Sequence, residues 1–515
     1  MNNVIINRGH GGLGRQPLGQ DFVSGLVFYN DTLPSGFTTD NNILKFGGLS
    51  DAVSAGITNT HIGETTAVYH ATVSAGSVGD VISIYFQEPI NKVLLCSYTQ
   101  QPSDSSAPFL TASLVAAINA NTVNTQYSAS YVASILTINI RKGLGGYPTV
   151  GDISIVVNGV ADDAFFSSPG MTTGVGSPMD VYYYHVSRFF AQSPNSTLYV
   201  GFFPVPSSYT FTEVSTMQNF ANGAIRQLGI YEDGISTYFS TSFVTAVQAQ
   251  VNSQIAKNSP LSVILGANMS PLSISVLPDL SSLNSEHVSV VAGQDGGAQG
   301  YTLCQAYGRS ITQLGDVLGL VASAQVSDDI AWVATYTLSP DGIENAVPAL
   351  AIGAGGTLLS TLSDGDINAV DAQRYIFGRQ FVNDSPNGTF VNDSHCATAY
   401  TSDYAYIENN RTFDKAARQL YAAYIDQLAA PLVLNPDGTL SNSTVAFFEG
   451  LGEQALSNMA QNNPNTGRPE LSGFKVSINP AQNVLQTSSL IVTIKLEPVG
   501  VAREIILNLQ FAVSL

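Results

Sequence analysis

The sequence predicts a mixed α/β fold that carries an inserted β-rich domain. Between about residues 180 and 355, short apolar strands alternate with amphipathic helices, which is typical of a sheet packed by helices. Between residues 70 and 165, apolar and polar residues alternate with period two, which favours a separate β-rich unit. Hydrophobic residues make up 44% of the chain, which is enough to form a buried core. Its 515 residues allow about three domains, at roughly 150 residues per domain.

The α/β part is predicted from strands and helices in the following chain order. Extended pieces at residues 4–7 and 26–30 precede the inserted block, and a strand follows it at residues 198–203. Thr210 and Glu213 have capping-box spacing, so we expect a helix to start there and to bury an apolar stripe as far as residue 225. A second helix is predicted over residues 244–255, before a strand at 261–265, and a third over 303–321.

The inserted block and the C-terminal part have their own patterns. Strands are predicted at residues 81–86, 93–98, 135–140 and 153–157, with one short helix at 110–120. Further on, helices are predicted at residues 412–428 and 443–460, followed by two alternating strands at 490–497 and 504–513. The last strand has one apolar face, so it needs a sheet to join, and that sheet can belong to another chain.

Charge is scarce in this sequence, and most of it is negative. Only 11% of the residues are charged, and 19 basic against 38 acidic residues give a net charge of −19, which disfavours nucleic acid as a partner. No apolar run is long enough for a membrane span or a signal-peptide core, and three dispersed cysteines predict neither disulfides nor a zinc site. The polar, uncharged surface fits either a secreted β-rich binding module or a subunit covered by copies of itself.

Two motifs have chemical interpretations that the surrounding residues disfavour. Gly9-His-Gly11-Gly-Leu-Gly14 matches a dinucleotide-binding loop, but the Pro17 that follows breaks a helix where the motif needs one, so we interpret it as a hinge. The acidic run Asp364-Gly-Asp366-Ile-Asn368-Ala-Val-Asp371 looks like part of a calcium loop; a helix start rich in Asp is the simpler interpretation. We expect no metal and no cofactor.

No catalytic constellation is evident, and we expect a protein that is not an enzyme. The six histidines lack metal-ligand spacing, and His395 beside Cys396 suggests a thiol pair at most. A hydrolase that uses carboxylates in the β-rich block is the weakest alternative, because no spacing of acidic residues supports it.

The closing strands carry a resemblance to a known family. Leu490-Ile-Val-Thr-Ile-Lys-Leu-Glu-Pro-Val-Gly-Val-Ala-Arg-Glu-Ile-Ile-Leu-Asn-Leu-Gln-Phe511 resembles the end of contractile tail sheath proteins, in which a strand, a Pro break, a Glu and a last alternating strand recur. The segment from Tyr404 to Arg418 looks like the sheath segment that leads into a long helix. Residues 181–202 look like sheath-like proteins of Bacteroidota phages and related injection particles. The likeness covers residues 1–69 and 180–515.

This resemblance implies a structural subunit that polymerises helically around an inner tube and contracts to drive that tube through a target cell envelope. The implied partners are other copies of the chain, the inner tube protein, and the baseplate and tail terminator proteins, with no nucleic acid and no direct membrane insertion. The implied location is a virion tail or injection particle assembled in the bacterial cytoplasm. The alternative function is that of a secreted or surface β-rich adhesin or glycan-binding protein.

The expected domains follow from the same patterns. They are an N-terminal arm (1–20), an α/β sheath core (21–69 with 170–355), the inserted β-rich domain (70–165), a C-terminal sheath domain (356–500) and a C-terminal strand arm (501–515). We expect the two arms to pair with neighbouring subunits through Val4, Ile5, Ile6, Ile505, Leu507, Leu509, Phe511 and Val513. The expected hinges are Gly9, Gly11, Gly12, Gly14, Pro498 and Gly500.

Overall fold

The computed structural model describes residues 20–232, 239–381 and 388–509. In these ranges the strands are β1 (Ser24–Tyr29), β2 (Ile43–Phe46), β3 (Val68–Val73), β4 (Val81–Gln87), β5 (Lys92–Thr99), β6 (Ser128–Val132), β7 (Ile135–Asn139), β8 (Ile153–Val157), β9 (Val160–Ala161), β10 (Phe166–Thr172), β11 (Leu198–Phe203), β12 (Gln227–Glu232), β13 (Ser262–Ala267), β14 (Val288–Val291), β15 (Gly293–Asp295), β16 (Pro348–Leu350), β17 (Thr357–Leu358), β18 (Tyr375–Ile376), β19 (Gly378–Arg379), β20 (Phe390–Val391), β21 (Leu471–Ile478) and β22 (Val492–Pro498). The helices are α1 (Leu49–Ser54), α2 (Ala107–Asn119), α3 (Pro178–Gln192), α4 (Glu213–Phe220), α5 (Thr241–Ile255), α6 (Gln299–Tyr307), α7 (Leu314–Ser323), α8 (Asp364–Ala372), α9 (Ile407–Tyr424), α10 (Asn442–Ala460) and α11 (Val484–Thr487).

A seven-stranded sheet forms the centre of the molecule and confirms the predicted α/β class. Its order is β18-β14-β13-β12-β1-β11-β2, and all neighbours are parallel except β2. Every residue of β1 is buried, because helices cover both faces of the sheet. Helices α3 and α7 pack on one face, and α4 and α5 pack on the other.

The helices next to this sheet match the predicted stripes, with two corrections. The predicted helix over residues 303–321 is two helices, α6 and α7, because the chain turns at Gly308 with a φ of 64°. The capping box predicted at Thr210 is wrong: the residue preceding α4 is Thr212, and its side chain makes no capping hydrogen bond. Helix α3 was not predicted, because it is buried on most of its circumference and shows no clear polar stripe.

Helices α3 and α7 approach each other closely at two glycines. A Cβ atom on Gly315 would lie 2.3 Å from the carbonyl oxygen of His185, and one on Gly319 would lie 2.7 Å from that of Phe189. Glycine at these two positions of α7 therefore lets the two backbones touch.

The chain between Thr65 and Val175 makes two four-stranded sheets, of order β10-β3-β7-β6 and β5-β4-β8-β9. They enclose an apolar core with α2 packed against it. The four strands and the short helix expected in this block correspond to β4, β5, β7, β8 and α2. Thr65 and Val175 form a β-bridge, so the two ends of the insertion leave the central sheet side by side.

The C-terminal part consists of α9 and α10 packed against the antiparallel pair β21-β22. Helix α9 begins five residues before the predicted position, at Ile407. The acidic run at Asp364 begins α8, where Ser363 and Asp366 form a capping box, which confirms a helix start. Residues 505–509, predicted to start the last strand, are not in a strand here. Among the described residues, no helix is both long and apolar enough to cross a membrane.

Candidate inter-subunit site

Helix α9 binds the two residues at which the N-terminal and C-terminal segments join the rest of the fold, Asp21 and Arg503. We call these two residues the roots of the segments. The first half of α9 is buried although it is polar: Glu408, Asn410, Arg411, Thr412 and Asp414 are all covered. Charged side chains are almost never fully buried unless they are paired. The partners of these side chains therefore show which parts of the chain α9 binds.

The root of the C-terminal segment is fixed by the side chain of Arg503. Its Nε atom donates to both carboxylate oxygens of Asp393, at 3.0 and 3.1 Å, and its Nη2 atom donates to Asp329 at 3.0 Å. Nη2 also donates to Glu408 of α9. The guanidinium carbon lies 3.5 Å from the ring centroid of Tyr406. A planar fork with five donors suits such a site better than the point charge of a lysine would.

Three carboxylates face this one guanidinium group, and burial makes their charge costly. The Glu408 side chain is 2% exposed, whereas that of Arg503 is 29% exposed. Burial, together with repulsion from Glu408 and Asp393, raises the pKa of Asp329 to about 7. Burial also raises the pKa of Glu408, against the opposing effect of Arg503. We call Asp329, Asp393 and Glu408 the Arg503 pocket. These three carboxylates are stable together in their charged form only while a cation lies among them.

The root of the N-terminal segment is held on the same helix with the charges reversed. The Asp21 carboxylate lies 2.7 Å from Nζ of Lys415 and 3.0 Å from Nη2 of Arg418. The backbone carbonyl of Asp21 accepts a hydrogen bond from Arg411 at 3.4 Å. Burial lowers the pKa of both arginines, so the carboxylate of Asp21 stabilises a crowded cationic face.

The predicted arm residues are placed only in part. Ile505, Leu507 and Leu509 are 76, 77 and 92% exposed, and within the described ranges they have no strand partner. The other predicted arm residues, Val4, Ile5, Ile6, Phe511 and Val513, and the hinge glycines Gly9, Gly11, Gly12 and Gly14, lie outside the described residues.

Of the two predicted C-terminal hinges, Pro498 is the last residue of β22, and Gly500 lies between β22 and Arg503. A Cβ atom on Gly500 would meet no atom within 4 Å. A hinge role for these two residues stays a prediction.

A sheet with open edges stands next to these roots. Strands β21 and β22 pair with each other, from Leu471 opposite Pro498 to Ile478 opposite Val492, and in the described part of the chain neither pairs with a third strand. Their inner face packs on α9 and α10 through side chains such as Val476 and Ile494. Unpaired edges of this kind accept added strands.

Sequence reasoning missed the roots themselves. Arg503, Asp21 and the charges of α9 come together from distant parts of the chain, and no local spacing marks them. The available signal was their rarity in a chain with only 11% charged residues, since Asp21 borders the predicted N-terminal arm and Arg503 is the one basic residue of the predicted C-terminal arm.

One other cluster in the described ranges has the composition of a metal site. His61, Glu64 and Asp180 lie close enough together to share an ion. Their atoms already have partners: Nδ1 of His61 lies 2.7 Å from Asp180, and the Glu64 carboxylate accepts from the amides of Gly143 and Gly145. These contacts attach the insertion to the N-terminal end of α3, which explains the cluster without an ion.

His395 and Cys396 do not form a pair. Nε2 of His395 lies 3.1 Å from Asp371, whereas the sulfur of Cys396 accepts from Ser289 and Asn410. Burial raises the pKa of the Cys396 thiol to about 12, so it is protonated at neutral pH.

Comparison with known proteins identifies the family. The sequence matches the family described as DUF2586, N-terminal domain, over residues 1–395 and that described as DUF2586, C-terminal domain, over residues 403–515. The chain belongs to the DUF2586 family. No curated protein matches it.

Two solved structures are distantly similar to the chain. One is a cryo-EM structure of the anti-feeding prophage helical sheath in the contracted state, with 14% identity and a TM-score of 0.40, covering 64% of this chain and 81% of that one. The other is the baseplate of the same particle, 6-fold symmetrised, with 13% identity and a TM-score of 0.38, covering 64% of this chain and 80% of that one.

Proposed function

We propose that this protein is a structural subunit of a contractile tail sheath. It polymerises helically around an inner tube protein, between baseplate and terminator proteins, and it contracts to drive the tube through a cell envelope. The observation that carries the proposal is the exposed apolar run at residues 505–509, which starts immediately after a root fixed by Arg503. The tail sheath resemblance of residues 490–511 supports the same function.

The exposed run is suited to strand donation. In a strand, Ile505, Leu507 and Leu509 share one face, and their side chains need a partner to leave water. Main-chain hydrogen bonds to an open sheet edge would provide that partner, and the pair β21-β22 of a neighbouring copy has such edges. We assign the arm residues Phe511 and Val513, and Val4 to Ile6 at the other end, to the same role.

Strand donation from one copy to the next is a head-to-tail contact, and it builds a filament or tube unless the rotation closes into a ring. The predicted hinge residues Pro498 and Gly500 precede the donated strand, so that in this proposal neighbouring copies rotate while the strand stays paired. Contraction is then a rigid-body rearrangement between two packings, and the particle is a virion tail or injection device assembled in the bacterial cytoplasm.

Deletion of residues 504–515 tests this function and leaves Arg503 in place. We expect a folded chain with an unchanged melting temperature that forms no tubes in negative-stain micrographs. The matched control replaces Tyr131 and Val132 by Ser, since these are exposed apolar residues at an edge of the insertion, away from the arms. We expect this control to form normal tubes.

Normal tubes from the truncated chain would refute the proposal. So would a full-length chain that stays monomeric at micromolar concentration and is retained on a glycan array, because that result indicates an adhesin.

A further inference from the structure

We propose that Arg503 is an ionic latch that holds the root of the C-terminal segment against helix α9 and fixes the position from which the exposed residues 504–509 extend. This inference rests on the proposed function, because it assumes that the segment is donated to a neighbour. It goes beyond that function because it proposes that one side chain, Arg503, determines how readily the C-terminal segment pairs with a neighbouring copy.

A single residue holds the segment in place. Between residues 499 and 509, in the described part of the chain, the hydrogen bonds and ion pairs to the rest of the protein all come from Arg503. The following residues, from Glu504 to Leu509, are all exposed. The latch therefore separates a fixed root from a segment that has no contact of this kind with its own chain.

The pocket is assembled from three separate parts of the fold. Asp329 follows α7, Asp393 follows β20, and Glu408 lies in the first turn of α9. Holding three carboxylates together, two of them buried, is unfavourable without a cation, and removing the cation from such a group is strongly destabilising. Arg503 therefore stabilises the junction between the central sheet and α9, as well as the root of the segment.

The neighbouring charged groups already have other partners. Arg374 lies over the ring of Tyr406 and donates to backbone carbonyls, Arg468 pairs with Asp328, and Nε2 of His395 faces Asp371. The other ring nitrogen of His395 lies 3.9 Å from Asp393. None of these groups is placed to replace Arg503 against Glu408.

A fixed root matters for donation because a free segment would lose more conformational entropy when it pairs with a neighbour. The latch limits that loss to the residues after position 503, and residues 504–509 do not pair with their own β21-β22 sheet. Without the latch, we expect the threshold concentration for tube assembly to rise at least tenfold.

The test compares R503Q and R503K with a matched control, K257Q. Lys257 is an exposed residue that follows α5, so its replacement removes the same charge outside both the pocket and the β21-β22 sheet. A nitroxide spin label on an introduced cysteine at the exposed position 502 reports mobility at a concentration below the assembly threshold. The three native cysteines are buried.

We expect R503Q to increase the mobility of the label and to raise the assembly threshold, K257Q to change neither, and R503K to fall between the two. The melting temperature of R503Q relative to the unsubstituted protein should fall most at pH 8 and least at pH 5, where the carboxylates take up protons. If R503Q does not fold, the double variant R503Q/E408Q relieves the repulsion, and its label should still be mobile.

An immobile label and an unchanged threshold in a folded R503Q protein would overturn the latch. If deletion of residues 504–515 abolishes tubes while R503Q assembles normally, the latch is refuted and the proposed function stands. If the deleted chain still forms tubes, the proposed function itself fails.

Discussion

The two faces of the C-terminal segment provide the sharpest test of strand donation. Leu507 and Ile506 are 77% and 72% exposed, so replacing either by Thr should leave the stability of the single chain unchanged. In a donated strand, Leu507 shares the apolar face with Ile505 and Leu509, whereas Ile506 shares the other face with Glu504 and Asn508. Thr keeps the preference for extended backbone, so the two variants differ mainly in the surface that they bury.

Burying a leucine side chain contributes about 2–3 kcal/mol, and each 1.4 kcal/mol corresponds to a tenfold change in an equilibrium constant. We therefore expect L507T to raise the threshold concentration for tube assembly about 30- to 150-fold, and I506T less than about fivefold. Sedimentation of assembled protein across a concentration series measures the threshold, with negative-stain microscopy to confirm that the pellet contains tubes. Equal thresholds for the two variants would refute an alternating strand, since both side chains would then contribute alike.

Two further predictions concern the central fold. G319A should destabilise the protein by about 1–3 kcal/mol in urea unfolding, because its Cβ atom would lie 2.7 Å from a backbone carbonyl oxygen of α3. The control G450A, in α10 with open space around the Cβ position, should instead stabilise it by about 0.5–1 kcal/mol; a gain in both would disprove close packing as the reason for Gly319. Burial lowers the pKa of His185 to about 3, below the unfolded value of 6.5, so stability from this group is complete above pH 6.5 and is lost as the pH falls toward 3. H185F should therefore lose less melting temperature than the unsubstituted protein between pH 6.5 and 4.5, and parallel pH profiles would contradict this.

The central sheet could be predicted in outline because its strands and helices have local signatures. Strand β11 and helix α5 follow from apolar runs and stripes that depend only on nearby residues. Helix α3 could not be predicted in this way. Ten of its residues, including His185 and Arg188, are buried by elements distant in the sequence, so its pattern lacks the polar stripe of a surface helix.

The candidate site also has one part that the sequence predicts from local pattern and one part that it does not. Alternation predicted a strand after Pro498. The structure shows that residues 505–509 are exposed but not in a strand, so the donated strand stays a prediction. Its root was not predictable, because the pocket joins Asp329, Asp393 and Glu408 to an arginine 95 residues beyond the last of them. In the sequence these acidic residues are isolated, and only the fold brings their side chains into contact.

The placement of both roots on α9 has a mechanical consequence for the proposed sheath. Glu408, which helps to hold the C-terminal root, and Lys415 and Arg418, which hold the N-terminal root, are 7–10 residues apart, or about 10–15 Å along a helix. Tension on a donated C-terminal strand and on an N-terminal arm would therefore reach the same helix. Opposite charges at the two roots also prevent either segment from occupying the other's pocket, since Arg503 would be repelled by the cations around Asp21. In a chain with few charges, the ion pairs of Asp21 and Arg503 thus lie where a connected but rearranging lattice would require them.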